Sequence, residues 1–173
     1  MIFYQERDIL VRNMEPADAQ IICEEEIAQG WDQTVEKYEM RLADAEKGLS
    51  ISMVALYQGQ IAGYINVYKK GLDGAFAGKG WPEIVDFGVL EKFRRRGIGS
   101  VLMDVAERVA GEYADTVWLG VGLYSGYGSA QRMYAKRGYI PDGSGVWYGK
   151  RVAEPYEKYC NDDDLVLYMS KKL

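Results

Sequence analysis

Glu83-Ile84-Val85-Asp86-Phe87-Gly88-Val89-Leu90-Glu91-Lys92-Phe93-Arg94-Arg95-Arg96-Gly97-Ile98-Gly99-Ser100 is the stretch on which the reading of this chain turns. It opens with an apolar run the length of one strand, passes through a basic turn and enters a helix. Ile98, Val101, Leu102, Val105 and Val109 recur at three- and four-residue spacing, which predicts one apolar stripe along that helix. Gly97 and Gly99 stand at its start, where the lack of a side chain lets a ligand approach the main chain. The first turn of a helix carries N–H groups without internal partners and the positive end of the macrodipole. A strand, a cationic glycine turn and a helix N-terminus together make a holder for phosphate or pyrophosphate.

Other phosphate motifs fit less well. A dinucleotide-binding turn wants a third glycine where this chain has Leu102, and the Gly-Lys-Ser/Thr ending of a P-loop is absent. Three arginines in an acidic chain are a short run for nucleic-acid binding. The pattern Arg94-x-x-Gly97-x-Gly99 after an apolar strand resembles the acyl-CoA pyrophosphate loop of the GNAT superfamily of N-acetyltransferases. A second block, Ala130-x-x-Met133-Tyr134-x-x-x-Gly138-Tyr139, is similar to that family's following helix and its exit.

The resemblance extends along nearly the whole chain. It implies an α+β domain over residues 1–173, with a mixed, mostly antiparallel sheet splayed to admit coenzyme A and helices on both faces. It implies acetyl-CoA as cosubstrate, held by main-chain amides of Arg94, Arg95, Arg96, Gly97, Ile98, Gly99 and Ser100. Amides of Phe87, Gly88 and Val89 would hydrogen-bond the pantetheine and polarise the thioester carbonyl. Many relatives carry asparagine three residues before the alanine of the second block, where this chain has Tyr127.

Working outward, residues 116–123 read as a strand. The link Tyr124-Ser125-Gly126-Tyr127-Gly128 leads to a helix capped near Ser129 and ended by Gly138. Residues 142–163 read as irregular, and 165–170 as a closing strand. Upstream, residues 9–12 form a strand, and Glu15-Pro16-Ala17-Asp18 is a helix start whose inward face is Ala17, Ile21, Ile22 and Ala28. A second helix carries Val35, Tyr38, Leu42 and Ala45 on one face, with Trp31 at the break. Residues 51–57 and 61–68 form a hairpin around Gly59. Residues 69–82, with four glycines, Phe76 and Trp81, read as a mobile functional loop or an exposed flexible insert.

Composition bounds the rest. Of 173 residues, 48% are hydrophobic and 27% charged, as in a soluble globular protein. No apolar run nears the ~18–20 residues of a bilayer span, and the N-terminus lacks a signal-peptide core. Cys23 and Cys160 fit reduced thiols, so the expected compartment is the cytoplasm. A net charge of −5 speaks against nucleic acid and mildly favours cationic substrates. There is no histidine, which removes Ser-His-Asp and Cys-His catalysis, His-based zinc sites and an imidazole base. No metal is expected.

Acetyl transfer to an amine needs a neutral amine, a polarised carbonyl and a proton for the departing thiolate. An alkylamine is neutral about once in 2,500 at pH 7, a handicap of roughly 4–5 kcal/mol. Glu83, entering the central strand, is the first candidate for the base; its distance from the glycine turn is similar to that of the catalytic glutamate in the histone-acetylating branch of the family. Asp86, which interrupts the apolar strand opposite Val85, Phe87 and Val89, is the second. Tyr134 matches the family tyrosine near the coenzyme sulfur and is the candidate general acid. Each has a plain structural counterpart: a strand-end acid, a hydrogen-bonded acid, a core tyrosine. The expected acceptor is the primary amine of a small molecule, attacking directly in a ternary complex. Tyr124, Tyr148, Trp81 and Trp147 are candidates for an aromatic wall around it. Protein lysine or N-terminal acetylation, and a non-catalytic CoA-binding sensor, stay open, as does a homodimer.

Overall fold

The computed structural model describes residues 1–71 and 73–173, and these group into two compact units. The first comprises Met1–Lys69 and Ile84–Val109; the second comprises Lys70–Glu83 and Ala110–Leu173.

In the first unit, strands β1 (Ile2–Glu6), β2 (Ile9–Asn13), β3 (Ser50–Tyr57), β4 (Gln60–Tyr68) and β5 (Glu83–Val89) lie side by side in chain order. The pairings β1–β2, β2–β3 and β3–β4 are antiparallel. Strand β1 went unread in the sequence: it is short and largely exposed, so it shows no buried alternation. Tyr57 pairs with Gln60 across Gln58 and Gly59, both at positive φ (50° and 79°), which is the tight primed turn favoured in hairpins.

Helices α1 (Pro16–Ala28) and α2 (Val35–Glu46) cover one face of these strands. Pro16 occupies the first helical position, and Glu15 and Asp18 form a reciprocal capping box. The inward face of α1 differs from the expected one. Ala17, Ile21 and Ala28 are exposed, whereas Asp18, Ala19, Ile22, Cys23 and Glu26 are buried. The two acids can be buried because each is partnered. Arg12 makes two hydrogen bonds to Asp18, at 2.6 and 2.9 Å, and the hydroxyls of Tyr38 and Tyr64 both donate to Glu26. On α2 the expected face is present, with Tyr38 fully buried and Val35 and Leu42 packed against the same cluster.

Helix α3 (Ile98–Ala110) covers the other face. Ile98, Leu102, Val105 and Val109 are buried along its stripe, joined by Met103, Ala106 and Ala110. Close approach demands Gly63, where a Cβ would lie 2.6 Å from the Gly88 carbonyl oxygen and 3.2 Å from Leu102.

The second unit pairs β6 (Thr116–Gly122), β9 (Leu165–Lys172), β7 (Ile140–Tyr148) and β8 (Arg151–Val152), in that spatial order and all antiparallel. Part of the segment read as irregular is therefore β7 and β8. Its glycines concealed the pattern: Gly143 and Gly145 both take positive φ, and the register against β9 shifts between Pro141 and Val146. Helix α4 spans Gly128–Lys136, with Tyr127 rather than Ser129 at its N-cap, and Gly138 (φ 88°) follows its end. The glycine-rich segment packs on aromatic rings: a Cβ on Gly71 would overlap Trp118, and Phe76 stacks against both Trp81 and Trp118.

Candidate active site

Along β5 the side chains divide between the two helical layers. Asp86 meets Arg41 of α2, and Gly88 lies under the Tyr64 ring, where a Cβ would come within 2.8 Å. Phe87 and Val89 turn the other way and touch the Gly99 position of α3, at 3.3 and 3.5 Å from its would-be Cβ. Asp86 also sits at φ 49°, the left-handed region, uncommon for a non-glycine residue within a strand.

The basic turn follows directly. A 3-10 turn over Glu91–Phe93 buries Phe93, and the chain then passes exposed Arg94, Arg95, Arg96 and Gly97 into α3. Arg95 (φ 62°) and Gly97 (φ 82°) both take left-handed backbone, which folds the turn over the helix start. The first helical bond runs from the Val101 amide to the Gly97 carbonyl. Among the described residues, the amides of Arg95, Arg96, Gly97, Ile98, Gly99 and Ser100 have no main-chain acceptor. Six such donors in an exposed turn that carries three arginines are a fitting receptacle for a diphosphate. The arginines differ in their engagement. Arg94 reaches the Val89 carbonyl and Glu91 and lies over the Trp31 ring, and Arg96 lies 5.0 Å from the centre of the Tyr57 ring.

The candidate acids occupy distinct settings. Asp86 accepts a 2.6 Å hydrogen bond from Arg41 Nε. Arg41 in turn donates to the Tyr68 hydroxyl, which donates to Asp44, each at 2.6 Å. Burial works against the Arg41 charge, but Asp86 and Tyr68 outweigh it, and the guanidinium is held above its ordinary value. Glu83 opens β5, half-buried, within the second unit; the Tyr168 hydroxyl there is pushed up by burial and then by the charges of Glu83 and Asp73. Tyr134 lies on α4, buried, its ring 5.7 Å from that of Tyr139. Burial pushes its phenol up, so it keeps its proton at neutral pH.

Tyr127, at the position where asparagine was expected, turns toward β6 and the acidic C-terminal segment. Its ring covers Gly122, and its hydroxyl and that of Tyr124 both donate to Asp163 Oδ1, at 2.8 and 2.9 Å. The four rings proposed as a wall pair off separately. Tyr124 meets Tyr127, Tyr148 meets Tyr159, Trp81 meets Phe76 and Trp147 meets Tyr168. Sequence reading missed Arg41 and Glu26, although each had a signal: a charged residue at a helix spacing that faces the core, three on from Tyr38 and four on from Ile22. Among the described residues no group of three or more Cys, Asp or Glu is placed to hold a metal, and no helix is long and apolar enough to cross a membrane.

The chain belongs to the acetyltransferase (GNAT) family, whose description it matches over residues 18–139. That family uses acetyl-CoA as acyl donor. The fold is similar to that of Ard1 from Thermoplasma volcanium, at 21% identity and a TM-score of 0.71, covering 96% of this chain and 99% of that one. It is also similar to the Salmonella typhimurium acetyltransferase that modifies the N-terminal serine of ribosomal protein L7/L12, at 10% identity and TM-score 0.74, covering 100% and 99%. A third similar structure is Arabidopsis thaliana Naa50 in complex with the bisubstrate analogue CoA-Ac-MVNAL, at 18% identity and TM-score 0.65, covering 96% and 100%. No curated sequence is significantly similar to this chain.

Proposed function

We propose that this acetyltransferase acetylates the primary amine of a small molecule, by direct attack of the amine in a ternary complex. The observation that supports the acyl-CoA half of the reading is the run of six amides without main-chain acceptors at residues 95–100, beside a strand interrupted at Asp86. The net charge of −5 favours a cationic acceptor. Acetyl-CoA supplies an acyl group activated as a thioester. The chain's own residues do the remainder. Amides of residues 95–100 bind the diphosphate, the Arg94 amide being donated to the Glu91 carbonyl. Amides of Phe87, Gly88 and Val89 orient the pantetheine and stabilise negative charge developing on the carbonyl oxygen. Glu83 takes the proton of the acceptor ammonium, directly or through water. Tyr134, whose phenol is held protonated by burial, returns a proton to the sulfur. Asp86 is left out of the proton transfers, because its carboxylate is engaged by Arg41.

The second reading is acetylation of a protein's amino terminus. It is supported by the similarity in fold to the enzyme acting on L7/L12 and to Naa50 bound to a peptide-bearing analogue. A panel of small amines and short peptides, scored by thiol release from acetyl-CoA, separates the two. Turnover of diamines or amino sugars above all peptides supports the first, and a peptide preference overturns it. A protein that binds acetyl-CoA tightly but turns over nothing, unchanged in Glu83→Gln, would be a sensor instead.

A further inference from the structure

We infer that Arg41, on helix α2, is a positioning residue for acyl transfer: through the carboxylate of Asp86 it holds β5 in the conformation that presents the amides of Phe87, Gly88 and Val89. The inference rests on the reading of those amides as the thioester's partners, and it adds a residue that no sequence motif marks.

Three observations converge on one peptide. Asp86 has φ 49° in the middle of a strand, a departure from extended backbone that aspartate enters more readily than most residues but still at a cost, and that an outside contact can favour. Arg41 supplies such a contact with a 2.6 Å bond from Nε, and its planar group is itself braced by Tyr68, whose ring it overlies at 5.3 Å. The preceding carbonyl, of Val85, accepts a 3.4 Å hydrogen bond from Asn66 Nδ2 of β4, while Asn66 Oδ1 is buried without a partner. A side chain of β4 thus binds the main chain at Val85 and a side chain of α2 the carboxylate of Asp86, where left-handed backbone cannot continue a regular ladder. Gly88, two residues on, is pinned by the Tyr64 ring. Between these fixed points lies the Phe87 amide, with the Gly88 and Val89 amides at the second of them. An arginine suits the task because it is charged at every working pH and its fork geometry fixes direction as well as distance.

The test is a double-mutant cycle with Arg41→Met and Asp86→Gly, read by steady-state acetyl transfer and by amide hydrogen exchange of the ligand-free protein. Glycine accepts φ 49° without strain, so Asp86→Gly removes the tether and not the backbone conformation itself. Each single substitution should lower kcat/KM by on the order of 10- to 100-fold, as expected when reacting groups are misplaced. The double variant should be no worse than Asp86→Gly, because both act through one contact. Asp86→Asn tolerates left-handed backbone and still offers an oxygen to Nε; it should recover most of the activity and report on folding. Amide exchange at Phe87 and Gly88 should speed up in Arg41→Met while α3 stays protected. Additive losses, full activity in Asp86→Gly, or unchanged exchange in Arg41→Met would each overturn the inference. If the wild-type protein fails to bind acetyl-CoA, the reading of the site fails, and the exchange experiment still decides whether Arg41 holds β5.

Discussion

At the scale of single residues, the proposed chemistry divides between a carboxylate that takes the ammonium proton and a buried phenol that supplies one to the sulfur. Glu83→Gln should lower kcat by about 10²-fold and leave the KM for acetyl-CoA little changed, and steady-state kinetics at several pH values checks this. Tyr134→Phe should slow turnover by a factor of similar order. Because burial raises the Tyr134 phenol above its ordinary value, the wild-type rate should not fall as pH rises toward 10 on its account. An alkaline limb beginning well below 10 and lost in Tyr134→Phe would contradict that. Asp86 teaches the converse. Its place opposite Phe87 and Val89 was legible from strand alternation, but the partner that occupies it comes from α2, 45 positions away in the chain.

Among the elements, the glycines separate two kinds of constraint. Gly97 has open space around its would-be Cβ but φ 82°, whereas Gly63 has ordinary backbone and a carbonyl oxygen at 2.6 Å. Gly97→Ala should therefore cost about 1 kcal/mol of stability through backbone strain and weaken acetyl-CoA binding. Gly63→Ala should cost about 1–3 kcal/mol by overpacking, both read from urea unfolding. The start of α1 depends on Asp18, which caps the helix and binds Arg12. Asp18→Ala loses a cap and strands a half-buried guanidinium, and should destabilise by about 2–4 kcal/mol. Proline and acid at that helix start were readable as a cap. That the same Asp18 and the later Glu26 face inward was not, since an acid enters a core only where distant residues such as Arg12, Tyr38 and Tyr64 meet it.

For the whole molecule, the absence of histidine removes the one side chain that ordinarily titrates near neutrality, so stability should be flat between about pH 6 and 8. The alkaline side differs. Tyr38, Tyr64, Tyr127 and Tyr134 are all held above the ordinary phenol value, burial being the largest cause in each. A raised folded-state value means that the folded protein resists an ionisation the unfolded chain accepts. The stabilisation is fully present below about pH 10 and is lost as pH rises past it toward the folded values. Urea midpoints measured against pH, alongside tyrosinate absorbance, should show cooperative alkaline unfolding rather than gradual titration of these four groups.

Read alone, the sequence determined the cationic glycine turn, the amphipathic helix after it, the hairpin at Gln58-Gly59 and the family, because each rests on spacings of a few residues that local geometry enforces. Only the tertiary structure decided that Asp86, Asp18 and Glu26 are each bound by a distant side chain, and where β7 resumes after its glycines. It also decided that Arg41 of α2 meets the carboxylate of Asp86. Those outcomes depend on contacts between residues far apart in the chain, and the strength of such a contact is set by burial and approach distance, quantities that no local pattern of residues encodes.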